Sequence, residues 1–288
     1  MNSSPPTRSF VFRFLRRLLA ALGLLALTPL AIFTSCQSKL IYFPRPYPEG
    51  VPARWTAETK GKPIGYSTSQ GRQRAWLLGN RENPERLWVV CGGNGTLALE
   101  WSPWLRAHAP GKDAWLLVDF PGYGDCEGRP SPGHIRESFN AVLPAATKEL
   151  GWSLPADSGK LRFFGHSLGA AAVLIAASDH HIQKGVLLAP FTSTMDMARE
   201  VVGLPVGFLV WHRFDNRARL AEIAARSDAR VIILHGTDDE VIPVAMGRDL
   251  AAGQPNIATL REIPGGRHNT VQETAQPELT RALEDVRK

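Results

Sequence analysis

An α/β fold, with a mostly parallel twisted sheet covered by helices on both faces, is the fold class this sequence predicts, and three observations predict it. Short apolar or β-branched runs alternate with helix-forming segments through most of the chain, the pattern of parallel strands joined by helical crossovers. One such run ends at Gly165-His166-Ser167-Leu168-Gly169 and gives way at once to an Ala-rich segment over 170–177. Carboxylates and a histidine recur just beyond later strand ends, where open α/β sheets collect their ligands.

Taken in order, Trp76, Leu77 and Leu78 predict a first strand, and Leu87, Trp88, Val89 and Val90 a second. Cys91-Gly92-Gly93-Asn94-Gly95 behind the second reads as a glycine-rich loop. A strand over 114–118 follows, then a helix from Ile135 toward Leu150, the strand 161–164 and the helix 170–177. Strands are predicted at 185–188 and at the β-branched run 231–234, with a helix over 244–251 behind them. Weak alternation over 259–263 gives the last strand, broken at Pro264-Gly265-Gly266, and a helix over 277–286 closes the chain. The segment 195–214 is unusually apolar and broken by Gly and Pro, with Val201, Val202, Leu204, Pro205, Phe208 and Trp211. It reads as a short cap offering an apolar wall to an acyl chain, or as a helix packed on the core.

A serine held between two glycines at a strand-to-helix turn has its hydroxyl lifted clear of the sheet, because only Gly fits where a Cβ would clash. The helix N-terminus beside it favours developing negative charge. Ser167 is therefore the candidate nucleophile. A serine hydroxyl is inert near neutral pH without a base and a group to orient that base. Asp238 and Asp239 follow the strand 231–234, and His268 follows the strand 259–263. An oxyanion hole needs two backbone donors, one of them on the residue after the nucleophile, Leu168. The other comes from the loop behind Val90, with Asn94 the choice and its neighbours on either side the alternatives.

These segments, together with Asp119-Phe120-Pro121-Gly122-Tyr123-Gly124, Glu127 to Ser131 and Arg213-Phe214-Asp215-Asn216, resemble the α/β-hydrolase-fold serine hydrolases from about Leu40 to the C-terminus. The likeness is to bacterial lipoprotein-type members related to abhydrolase-domain acyl-protein thioesterases and esterases. It implies an α/β-hydrolase fold, a Ser-His-Asp triad with its members in the chain order Ser, Asp, His, and no cofactor. Its pattern of His-Gly, two residues, Asp, then a hydrophobic pair and Pro places the acid on Asp239, with Asp238 as competitor. His166, His235, Asp119 and Asp215 read as structural residues. His180-His181 lacks partners at ligand spacing, so no metal site is expected.

At the N-terminus, Arg8, Arg13, Arg16 and Arg17 precede an uncharged apolar stretch over 18–33, and no acid occurs before Glu49. A basic region followed by an apolar one is an export signal. Thr34-Ser35 before Cys36 resembles a bacterial lipoprotein cleavage box, and the alternative is an uncleaved span. Residues 1–36 are thus expected as signal peptide and anchor, 37–52 as a proline-bearing linker and 53–288 as one catalytic domain in the bacterial cell envelope. Membrane attachment is assigned to 1–36 and catalysis to the remainder. The formal charge of +6 owes four cations to the leader, which leaves too weak a basic balance for nucleic acid. Export would leave Cys91 and Cys126 able to pair or to stay separate thiols. The expected substrate is a small-molecule or lipid acyl ester or a thioester. A serine peptidase of the same fold and a non-catalytic binding protein are the competing readings, and the oligomeric state stays open.

Overall fold

A computed structural model describes residues 8–203, 207–226 and 228–288, and side chains at 8–11, 22, 24, 26, 27 and 29–36 lie outside that description. The chain opens with a long helix, α1 (Arg8–Ile41), and a short one, α2 (Val51–Thr59), whose first turn carries Pro52. A hairpin of β1 (Lys62–Thr68) and β2 (Gly71–Gly79) leads to β3 (Leu87–Cys91), α3 (Ser102–His108) and β4 (Ala114–Val118). From there strands and helices alternate: α4 (Pro132–Glu149), β5 (Leu161–His166), α5 (Leu168–Asp179) and β6 (Lys184–Leu188). The insertion carries α6 (Thr194–Val202) and is followed by α7 (Asn216–Ala224), β7 (Arg230–Gly236), α8 (Val244–Gly253) and β8 (Ala258–Ile263). The chain closes with α9 (Val271–Thr274) and α10 (Gln276–Arg287).

The eight strands form one sheet in the order β1-β2-β4-β3-β5-β6-β7-β8. β2 is antiparallel to both its neighbours, and every pair from β4 to β8 is parallel. The central strands are buried on both faces and read as unbroken apolar runs for that reason. α5 is buried almost all round, hence its Ala-rich composition.

Sequence reading missed β1. It is an edge strand paired only with β2, mostly polar and half-exposed, and it contains Pro63 and Gly65, so neither an apolar run nor strong β propensity marks it. The linker expected at 37–52 is also different in the structure. Gln37, Tyr42 and Tyr47 are buried, Tyr47 Oη donates to Asp119 Oδ2 at 2.6 Å, and Tyr123 Oη accepts from Phe43 N at 2.8 Å. Aromatic burial and paired hydroxyls bind this stretch to the domain, so it is not a free tether. The boundary expected at 36/37 falls inside the continuous helix α1. Among the described residues no helix is long and apolar enough to cross a membrane. The side chain of Cys36, and part of the insertion at 204–206, lie outside the described residues.

The seat of α5 is set by one close approach. A Cβ on Gly169 would stand 2.2 Å from Cys91 O and 2.4 Å from Gly92 O, both immobile backbone. Gly169→Ala should therefore force the helix away from β3, at a cost of roughly 1–3 kcal/mol. Thermal unfolding should show a Tm about 5 °C lower, and an unchanged Tm would refute the packing account.

Candidate active site

Ser167 sits in the turn from β5 to α5 with φ 55° and ψ −119°, a backbone that L residues rarely adopt. The turn is held from both sides. A Cβ on Gly165 would lie 2.5 Å from Gly169 O, and Ser167 N donates to Leu188 O at the end of β6 at 2.9 Å. The serine is 9% exposed, and its hydroxyl opens on a cavity of about 330 Å³.

Ser167 Oγ donates to His268 Nε2 at 3.0 Å, and His268 Nδ1 donates to Asp239 Oδ2 at 2.8 Å. The carboxylate at Nδ1 fixes the tautomer and leaves Nε2 free to accept. The Asp239 side chain is fully buried. Its other oxygen accepts from Val241 N at 2.9 Å and Ile242 N at 2.7 Å. Burial alone would raise its pKa, but hydrogen bonds from His235, His268 and the Ile242 amide hold it well below the usual carboxylate range. Asp238 is exposed and bonds only the neighbouring Thr237 hydroxyl through its side chain.

Two further histidines flank this line. His235 Nε2 donates to Ile242 O at 2.9 Å with Asp239 Oδ2 at 3.4 Å, so it braces the loop that carries the acid. His166 Nε2 donates to His268 O at 3.2 Å and so fixes the backbone of the histidine. Glu240, which sequence reading did not single out, accepts from His268 N at 3.2 Å. A third acid beside the Asp238-Asp239 pair carried no signal of its own.

No family profile matches the chain. An uncharacterized protein of Mycobacterium tuberculosis is 28% identical over 260 residues, 88% of this chain and 89% of that one. The alpha/beta hydrolase domain-containing protein aho-3 of Caenorhabditis elegans is 28% identical over 156 residues, 54% of this chain but 43% of that one. An esterase of Pyrococcus furiosus superposes with a TM-score of 0.61 at 17% identity, over 86% of this chain and 98% of that one. A bacterial membrane phospholipase A gives 0.57 at 15% identity over 98% and 100%. The chain has the α/β-hydrolase fold.

Within this fold three of the residues singled out by sequence line one cavity, and His268 and Asp239 stand behind the Ser167 hydroxyl. Leu168 and Asn94 line it with Ser167. A Cβ on Gly93 would stand 3.4 Å from that of Ser167, so the loop after β3 passes directly beside the nucleophile position. The insertion contributes Thr194, Met197, Ala198, Val201, Val202 and Val210 to the wall. Leu40 and Ile41 of α1 line it too, and nothing in a stretch read as a proline-bearing linker pointed to them. The remaining polar residues have structural places. Asp119, pushed up to about 6 by burial, accepts from Tyr47 Oη, Trp76 Nε1 and Ala98 N. Asp215 caps α7 by accepting from Ala218 N. Cys91 and Cys126 are separate buried thiols. Among the described residues no cluster of His, Cys, Asp or Glu could hold a metal ion.

The buried imidazole of His166 gives the site a signature in pH. Burial, and then the nearby His268, push it down to about 3. That is below the ~6.5 of an unfolded histidine, so unfolding takes up a proton between these values and stability falls as pH drops from about 6.5 toward 3. His166→Gln removes this titration, and comparison with the parent cancels the contribution of Asp119. In urea unfolding, the stability gap between parent and variant should shrink from pH 7 to pH 4.5. A constant gap would contradict the buried, neutral imidazole.

Proposed function

We propose that this α/β-hydrolase cleaves carboxylic ester or thioester bonds through a Ser167-His268-Asp239 triad and an acyl-enzyme. One observation carries the reading: Ser167, which lines an apolar cavity, has its Oγ 3.0 Å from His268 Nε2, whose opposite nitrogen lies 2.8 Å from a buried Asp239. His268 takes the Ser167 proton as the hydroxyl attacks the acyl carbonyl, and Asp239 stabilises the imidazolium that forms. Negative charge develops on the carbonyl oxygen, and the N–H groups of Leu168 and Asn94 stabilise it. His268 then protonates the leaving alcohol or thiol. Water repeats the sequence to release the acid, with His268 again the base.

The wall favours an aliphatic acyl group, since every residue contributed by the insertion except Thr194 is apolar. Lipid is the source of acyl group we assign. Around the cavity the surface is also apolar: Val201 is 77% exposed, Trp211 75%, Phe208 66% and Leu40 59%. We place the catalytic domain in the bacterial cell envelope, tethered by residues 1–36, with lipidation of Cys36 ahead of an uncleaved span. The basic residues before the apolar stretch support this reading. Cys36→Ser should block lipid addition and leave precursor-size protein in cells. Unchanged size and membrane partition would exclude lipidation and leave the span.

A fluorophosphonate probe should label the parent protein and fail on Ser167→Ala, whose ester hydrolysis should drop by about five orders of magnitude or more. Asp239→Asn should lose about a thousandfold or more in kcat, while Asp238→Asn stays close to the parent. Turnover by Ser167→Ala at the parent rate would overturn the triad. A folded parent that resists the probe and cleaves no ester would point to a binding protein.

A further inference from the structure

Gln37 is 3% exposed at the end of a helix whose residues 12–21 are exposed. Its side-chain amide is used at both ends. Nε2 donates to Leu209 O at 2.5 Å, and Oε1 accepts from Trp211 N at 2.7 Å. These two backbone groups flank Val210, which is 5% exposed and faces the cavity. The amide therefore grips the insertion much as the backbone of an added strand would, and it fixes which way Val210 points. The base of the insertion is closed separately, by the bridge between Ser193 and Asp215 and by Thr194 N donating to Phe214 O at 3.0 Å. Gln37 holds the far part at Val210, beside Tyr42, whose hydroxyl meets His212 Nδ1 at 3.3 Å.

About one helical turn further on, Ile41 O accepts from Asn94 Nδ2 at 2.9 Å. The same turn thus touches the insertion at one end and the loop after β3 at the other, and Leu40 and Ile41 between them line the cavity. A leucine at position 37 could fill space there, but it would leave Leu209 O and Trp211 N without these partners. Burying a glutamine is unfavourable unless both ends of its amide are satisfied, and here they are.

We propose that the last turn of α1 is a wall of the acyl site and that Gln37 is a specificity-determining residue, setting the acyl-chain length accepted by pinning Val210. The inference rests on the ester-hydrolase reading above, and it gives that reading a physical selector. The stretch expected only as a linker behind the anchor then also shapes the substrate range. At about 330 Å³ the cavity is near the small end of ligand sites, roughly 300–1,000 Å³, so a wall free to move alters the fit of each added methylene.

The test uses the full-length protein with p-nitrophenyl esters from acetyl to dodecanoyl. Gln37→Met keeps side-chain length and removes both hydrogen bonds. Its KM for the preferred ester should rise by about tenfold, the lower end of what one methylene of pocket contact confers, so that the chain-length profile flattens. Val210→Ala, which deepens the pocket with the latch intact, should move the optimum to a longer chain. Independently of turnover, hydrogen exchange at the Trp211 amide should quicken in Gln37→Met while the amides of β5 stay protected. Parent-like profiles in both variants, or parent-like exchange at Trp211, would overturn the proposal. If the parent cleaves no ester and resists the fluorophosphonate probe, the ester-hydrolase reading falls and takes the selector with it, whereas the exchange result still reports on the latch.

Discussion

The contact of Gly169 with the carbonyls of Cys91 and Gly92 is the constraint on which the rest of the site depends. Two glycine positions, 165 and 169, let a helix begin within van der Waals distance of the end of a neighbouring strand. Only then do the loop after β3 and the turn after β5 share one cavity. The approach has a cost at Ser167, whose φ of 55° and ψ of −119° hold it in a sparsely populated region, of order 1–3 kcal/mol. The parallel sheet offsets that strain, because β5 lies between β3 and β6 and each neighbour fixes one side of the turn.

Around this turn the polar groups are buried, so their hydrogen bonds operate in a medium that penalises any unpaired partner. Asp239 is satisfied through both oxygens, by two backbone amides and by His268. His166, His235 and Glu240 hold the backbones of the histidine and acid loops without approaching Ser167 Oγ by any hydrogen bond. The arrangement is a stiff frame in which the distances between Ser167, His268 and Asp239 follow from strand register. Chemistry that needs reacting groups held to fractions of an ångström is well served by that division of labour.

The other side of the cavity is built differently. Its wall is an insertion made of α6 and an irregular return stretch, anchored at its base by Ser193 and Asp215 and further out, among the described residues, by Gln37 and by Tyr42, whose hydroxyl meets His212 Nδ1 at 3.3 Å. A wall tied down at its two ends can shift without displacing the strands that hold Ser167. The cavity thus has a rigid polar edge at Ser167 facing an apolar wall supplied largely by the insertion.

Sequence alone determined what is local. The strand, the sharp turn and the helix around Ser167 are adjacent in the chain, so their glycines and apolar runs were legible, as was the position of His268 behind the last strand. The alternation of strands and helices similarly determined a parallel sheet and hence the end at which these residues gather. Tertiary structure decided what depends on distance across the fold. Asp238 and Asp239 differ by one residue in sequence, but only Asp239 is turned inward to reach His268 at 2.8 Å, while Asp238 stays exposed. β1 became a strand through pairing with β2, and Tyr42 and Tyr47 became core residues through partners far along the chain. Gln37 lies 172 residues from Leu209, and no periodicity or motif encodes a contact of that span. A polar residue behind an apolar run carries no mark of burial until the cavity it closes has formed.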